Sequence, residues 1–119
     1  MAEFMLMFVT GPGVAPPPLT DSDLQAVIAR YVAWGERMAS QGHGSPRRGA
    51  RLTDVWNDPG RVVSIREGEF LAVDGPLAET KEVVGGYSVI DAADYDEAVD
   101  LCRDHPATEH GSIVIRQIA

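Results

Sequence analysis

Phe4-Met5-Leu6-Met7-Phe8-Val9 is an unbroken run of six apolar residues, and its reading decides the fold. A half-exposed strand would alternate polar with apolar side chains, and a surface helix would show a polar face. A short continuous run reads instead as a strand buried on both faces. Gly11-Pro12-Gly13 breaks it. Pro16-Pro17-Pro18 then reads as a stiff extended connector.

The connector leads into a helix. Thr20 is a good N-cap, with Asp23 near the capping-box position. Leu24, Val27, Ile28, Tyr31, Trp34 and Met38 follow at helical spacing and form a core face. Gly42 closes the helix. His43 to Ala50 is polar and reads as a loop, Leu52 to Trp56 as a short strand, and Asn57-Asp58-Pro59-Gly60 as a turn. Arg61 to Arg66 alternates, Glu67-Gly68 turns, and Phe70 to Val73 returns as a hairpin partner. Ala78 to Val84 is compatible with a short helix or a loop. Gly85-Gly86 opens a strand from Tyr87 to Asp91. Asp94 and Glu97 cap a second long helix with the stripe Tyr95, Ala98, Val99, Cys102, ended by Pro106, and Ser112 to Ile118 is the last strand.

This order predicts an α+β fold: a ferredoxin-like plait with an extra β-hairpin. Two helices cover one face of such a sheet. The first strand is apolar on both sides, so the other face calls for a partner, and a second copy would supply it.

At 119 residues the chain has the size of one domain and needs neither metal nor disulfide to fold. The net charge of -8 disfavours phosphate backbones and anionic membranes, so neither nucleic acid nor membrane is an expected partner. Cys102 is the one cysteine, and no CxxC is present. The apolar run follows Glu3 rather than a basic stretch, unlike a secretory signal, and the expected location is the cytoplasm. No cofactor is expected, because phosphate-cradling glycine loops and metal-ligand spacings are lacking.

Val73-Asp74-Gly75-Pro76-Leu77-Ala78-Glu79-Thr80-Lys81-Glu82, followed by Gly85-Gly86-Tyr87, resembles the signature of the DGPF-type members of the YCII-related family. Leu77 stands where that signature has Phe. Gly111 to Arg116 is similar to the family's closing strand. The resemblance implies a dimeric α+β barrel, in which two plaits pack sheet to sheet. It implies an enzymatic role where a recurrent histidine and aspartate are both present. Asp74 matches that aspartate. The first helix has no histidine and offers Tyr31 and Trp34 instead. The occurrence of some DGPF-type proteins beside extracytoplasmic-function sigma factors implies a regulatory link.

Asp74 is the leading candidate residue. A carboxylate at a strand end, before a rigid Gly-Pro turn, suits a positioned base; it equally suits a turn initiator that accepts N–H bonds from the Ala78–Lys81 region. Glu79 and Lys81 either bind a small polar ligand with Asp74 or form a solvated charged segment. Tyr87 and Trp34 complete the candidate ligand-binding set. His110 is the candidate catalytic partner of Asp74, against the simpler reading of His43, His105 and His110 as surface loop histidines. Arg47, Arg48 and Arg51 form a basic cluster, read most simply as a solvated loop. Cys102 lies on an apolar stripe and is expected to be buried and inert.

Two functions fit. The favoured one is a dimeric, non-catalytic regulatory or interaction protein. The alternative is a small-molecule-binding protein or enzyme using Asp74 as general acid or base. The alternative needs Asp74 in a concave pocket beside polar groups; the favoured reading expects Asp74 to be fully used by backbone donors, with no cavity.

Overall fold

The computed structural model describes residues 1–10, 20–53, 58–75 and 83–119. The elements are β1 (Ala2–Thr10), α1 (Asp21–Ser40), β2 (Ala50–Arg51), β3 (Arg61–Arg66), β4 (Glu69–Asp74), β5 (Val83–Ala92), α2 (Tyr95–Leu101), a 3-10 turn (Pro106–Glu109) and β6 (Ser112–Gln117). The main sheet has the order β2-β5-β1-β6, antiparallel throughout. This is the ferredoxin-like α+β arrangement, and the apolar run lies on its central strand. β3 and β4 pair only with each other, in a separate two-stranded sheet.

The alternation of β1 divides its side chains between two environments. Phe4 and Leu6 face the helices and are fully buried, with Ile90 and Ala92 of β5, Trp34 and Met38 of α1, and Ala98 and Cys102. Each large apolar side chain buried here contributes about 1.5–3 kcal/mol. Met5 and Met7 point to the opposite face and are half-buried. Their cross-strand neighbours there are Val89 and Arg116 for Met5, and Tyr87 and Val114 for Met7. Gly85 is the extra residue where the β1–β5 register shifts, between Phe8↔Gly86 and Val9↔Val84, which makes a β-bulge.

α1 begins where the Thr20 Oγ1 accepts the Asp23 N–H at 3.2 Å. It ends in a Schellman motif: the His43 N–H bonds the Met38 carbonyl at 2.8 Å, the Gly42 N–H bonds that of Ala39 at 3.2 Å, and Gly42 takes φ +84°. Leu24, Val27, Tyr31, Trp34 and Met38 form its inner stripe, but Ile28 is exposed. Two ion pairs tie the helix to the segment after α2: Arg30 to Glu109 and Arg37 to Asp104. α2 has a capping box: the Asp94 Oδ1 accepts the Glu97 N–H at 2.9 Å, and the Glu97 carboxylate accepts the Ala93 N–H at 2.9 Å.

Four expectations are corrected. β2 is Ala50–Arg51 rather than Leu52–Trp56; beyond it, Leu52 still donates to the Gly85 carbonyl at 3.0 Å, and residues 54–57 lie outside the described part. β5 starts at Val83 and runs through Gly85-Gly86, because β1 is long enough to pair with it there. The second helix is short and stops at Leu101, five residues before Pro106 starts the 3-10 turn. Val99 and Tyr95 are nearly half exposed, although the Tyr95 ring still meets Phe4 edge-on at 4.9 Å, so the fully buried part of the stripe is Ala98 and Cys102. The Gly11–Gly13 break, the Pro16–Pro18 connector and the Pro76–Glu82 part of the long motif lie outside the described residues.

Candidate functional site

Asp74 ends β4 at the root of the hairpin, where its cross-strand partner is Arg61. At the tip, Glu67 and Gly68 both take positive φ, +52° and +80°, the signature of a type I′ turn. From the narrow Arg66–Glu69 pair beside that turn, hydrogen-bonded and non-hydrogen-bonded pairs alternate down the ladder. Arg61–Asp74 is therefore a non-hydrogen-bonded pair, whose side chains come close, and an ion pair of 3.3 Å joins them. The next pair is closed by the Gly75 N–H, which donates to the Gly60 carbonyl at 3.1 Å. A Cβ on Gly75 would meet the Pro59 carbonyl oxygen at 2.6 Å, so the second residue of the motif must be glycine for the strands to approach. Asp58 shapes the same root by accepting from Thr53 Oγ1 at 2.7 Å and from the Gly60 N–H at 3.2 Å, which holds its carboxyl below the usual range. Asp74 itself is exposed over 80% of its side chain.

The other candidates lie elsewhere. His110 ends the 3-10 turn beside Glu109, 3.9 Å away, and no ion pair joins it to Asp74. Tyr87 sits on the open sheet face, opposite Met7 and Ala50. Trp34 is buried beneath the other face, and its Nε1 has no hydrogen-bond partner among the described residues. Glu79 and Lys81 lie outside the described residues. No hydrogen bond or ion pair links any two of Asp74, His110, Tyr87 and Trp34. A shallow open groove of ≈ 490 Å³ runs between Arg37, Met38 and Gln41 on one side and Asp100, Leu101, Arg103 and Asp104 on the other; none of the candidates lines it. Among the described residues no three His, Cys, Asp or Glu side chains gather as metal ligands.

The reading of His105 as a surface histidine is overturned. Only 2% of it is exposed, and it sits in an aromatic cage. Its ring stacks on Phe8 at 4.7 Å between centroids and meets the edges or faces of Trp34 at 4.5 Å and Tyr31 at 5.1 Å. Its Nδ1 accepts the Ala107 N–H at 2.9 Å, capping the 3-10 turn and assigning the proton to Nε2. Burial pushes its pKa down to about 4, opposed weakly by Asp104. At neutral pH it is an uncharged ring whose Nδ1 lone pair is already used, which suits a packing and capping role. The local signal for this was His105 directly before Pro106, an N-cap followed by proline at the first position of the turn. His43 is also partly buried, with Nδ1 donating to the Asp91 carbonyl at 2.9 Å. Cys102 is buried, and burial raises its thiol to about 11.

A protein of Rhizobium meliloti (strain 1021), described as uncharacterized, is 46% identical over 56 residues, which cover 44% of this chain and 44% of that protein. The matched part thus spans less than half the length of that relative. The model of the YCII-related domain matches residues 2–119, nearly the whole chain. With that match, and with the plait and its hairpin in place, the chain belongs to the YCII-related family.

Proposed function

We propose that this chain is a non-catalytic regulatory or interaction protein that works as a homodimer, with the open faces of two sheets packed together as a dimeric α+β barrel. The observation that carries this reading is the open face itself. Met5, Met7, Tyr87 and Val114 line it, with Arg116 opposite Met5; both helices lie on the other side, and Val114 is 40% exposed. Apolar surface of this kind, at the centre of a sheet, favours a protein partner.

Asp74 is not held by backbone donors among the described residues, and the Ala78–Lys81 region expected to supply them lies outside those residues. The carboxylate is solvated and paired with Arg61, and no histidine contacts it. A general base works from within hydrogen-bond reach of a held substrate, and the groove between Arg37, Met38 and Gln41 and the Asp100–Asp104 segment is not lined by this carboxylate. The likeness of the Asp74-Gly75-Pro76 stretch to the DGPF-type group supports a regulatory partner, with extracytoplasmic-function sigma factors as the expected class. The acidic total of -8 supports a protein rather than nucleic acid as that partner, in a cytoplasmic setting. No described helix is long and apolar enough to cross a membrane.

Thermal unfolding at several protein concentrations tests the homodimer. Folding coupled to dimerisation makes the midpoint rise with concentration by mass action. A midpoint that stays fixed over a hundredfold range would overturn the reading.

A further inference from the structure

We propose that the β3–β4 hairpin is a dimerisation arm, and that the face carrying Val63, Ile65, Phe70 and Ala72 packs on a second copy of this chain. The inference rests on the homodimer reading above and adds the element that grips the partner. The register places Val63 opposite Ala72 and Ile65 opposite Phe70, so these four form one continuous apolar plate. It is bounded at the root by the Arg61–Asp74 ion pair and carries no charge between root and tip. Exposure reaches 61% at Val63, 72% at Ile65 and 71% at Phe70. On the reverse face Val73 is also 55% exposed.

A two-stranded hairpin alone in water is marginally stable, and an apolar plate worsens its case. Neither strand joins the main sheet. The radius of gyration is 16.0 Å, against about 13.5 Å for a compact chain of this length, as a projecting arm requires.

Area points to a second copy as the occupant. Four strands about 4.8 Å apart and roughly six residues long present a face of roughly 400 Å². A stable dimer buries about 800 Å² on each partner. The open sheet face therefore falls short by itself, the more so because β2 contributes two residues. In chain order the arm lies between β2 and β5, which are neighbours at one edge of the main sheet. Two-fold symmetry counts the arm twice, since each copy buries its own plate and the ground beneath its partner's. The acidic total disfavours an anionic membrane as the occupant.

Photo-cross-linking of the full chain tests the arm. A benzophenone side chain replaces Phe70, and sedimentation equilibrium is run on the same sample. The expected result is a dimer by sedimentation, a covalent dimer after irradiation, and a cross-linked peptide joining residue 70 of one copy to the other. An unlabelled second variant, Ile65→Lys with Phe70→Lys, is expected to keep its far-UV circular dichroism and to raise the dimer Kd at least tenfold. A sedimenting dimer with no intermolecular cross-link at position 70, and with an unchanged Kd in the double variant, overturns the arm and leaves the homodimer standing. A wild-type monomer overturns both.

Discussion

Asp74 and Gly75 are neighbours in the long motif, yet the structure uses them differently. The Asp74 carboxylate is solvated and shares an exposed ion pair with Arg61; exposed pairs of this kind contribute about 0–1 kcal/mol. Gly75 has no room for a Cβ beneath the Pro59 carbonyl. We expect Asp74→Asn to lower stability by less than about 1 kcal/mol and Gly75→Ala to lower it by about 1–3 kcal/mol through overpacking. Chemical denaturation measures both, and an Asp74→Asn loss as large as that of Gly75→Ala would show a partner for the carboxylate that the ion pair does not explain. His105 contributes to the acid response. Its folded pKa of about 4 lies below the unfolded value of about 6.5, so the unfolded chain binds the extra proton. Stability from this residue is complete above pH ~6.5 and declines as pH falls towards 4, by about 3 kcal/mol in all. His105→Asn keeps a capping oxygen but cannot titrate, so its loss of stability between pH 7 and pH 4.5 should be smaller than that of the wild type; equal losses would remove His105 from the acid response. Cys102, with its thiol raised to about 11 and its side chain buried, should react with an aromatic disulfide reagent only on unfolding. Labelling of the folded protein within seconds would contradict that.

Elements differ in how much of them can be read locally. Both caps, at Thr20 and at Asp94 with Glu97, were legible because a cap is a contact within four residues. The hairpin was legible from alternation and Glu67-Gly68, and the central strand from Phe4–Val9. The length of β5 was not, since Val83 and Val84 join a strand only because β1 offers partners there. The exposure of Val99 and Ile28 was not, since helical period gives a stripe but not its width. The burial of His105 was hidden because its cage comes from Phe8, Tyr31 and Trp34, which are distant in the chain. The same limit applies to the candidate site: proximity in the motif gave Asp74 its ligand-binding company, whereas cross-strand register gave it Arg61. The hairpin tip supplies a prediction of its own. Glu67 holds φ +52° in a turn that favours Asn or Gly, and a left-handed backbone costs a side-chain-bearing residue about 1–2 kcal/mol. Glu67→Gly is therefore expected to raise the thermal midpoint, and a lowered midpoint would mean that the Glu67 side chain makes a compensating contact.

At the scale of the molecule, one sheet carries two unlike faces. Phe4, Leu6 and Ile90 are sealed beneath α1 and α2, and that face is complete within a single copy. Met5, Met7 and Val114 are not sealed, and the β3–β4 arm leaves a second apolar plate outside the main body. Both features are explained by a copy of the same chain, and neither is explained by catalysis at Asp74. Sedimentation equilibrium at micromolar concentration, on the wild type and on Met7→Arg, tests this most directly. Twice the monomer mass is expected for the wild type and a folded monomer for Met7→Arg, because a guanidinium at the centre of the joint would be buried without a partner. A wild-type protein that sediments as a monomer would contradict it.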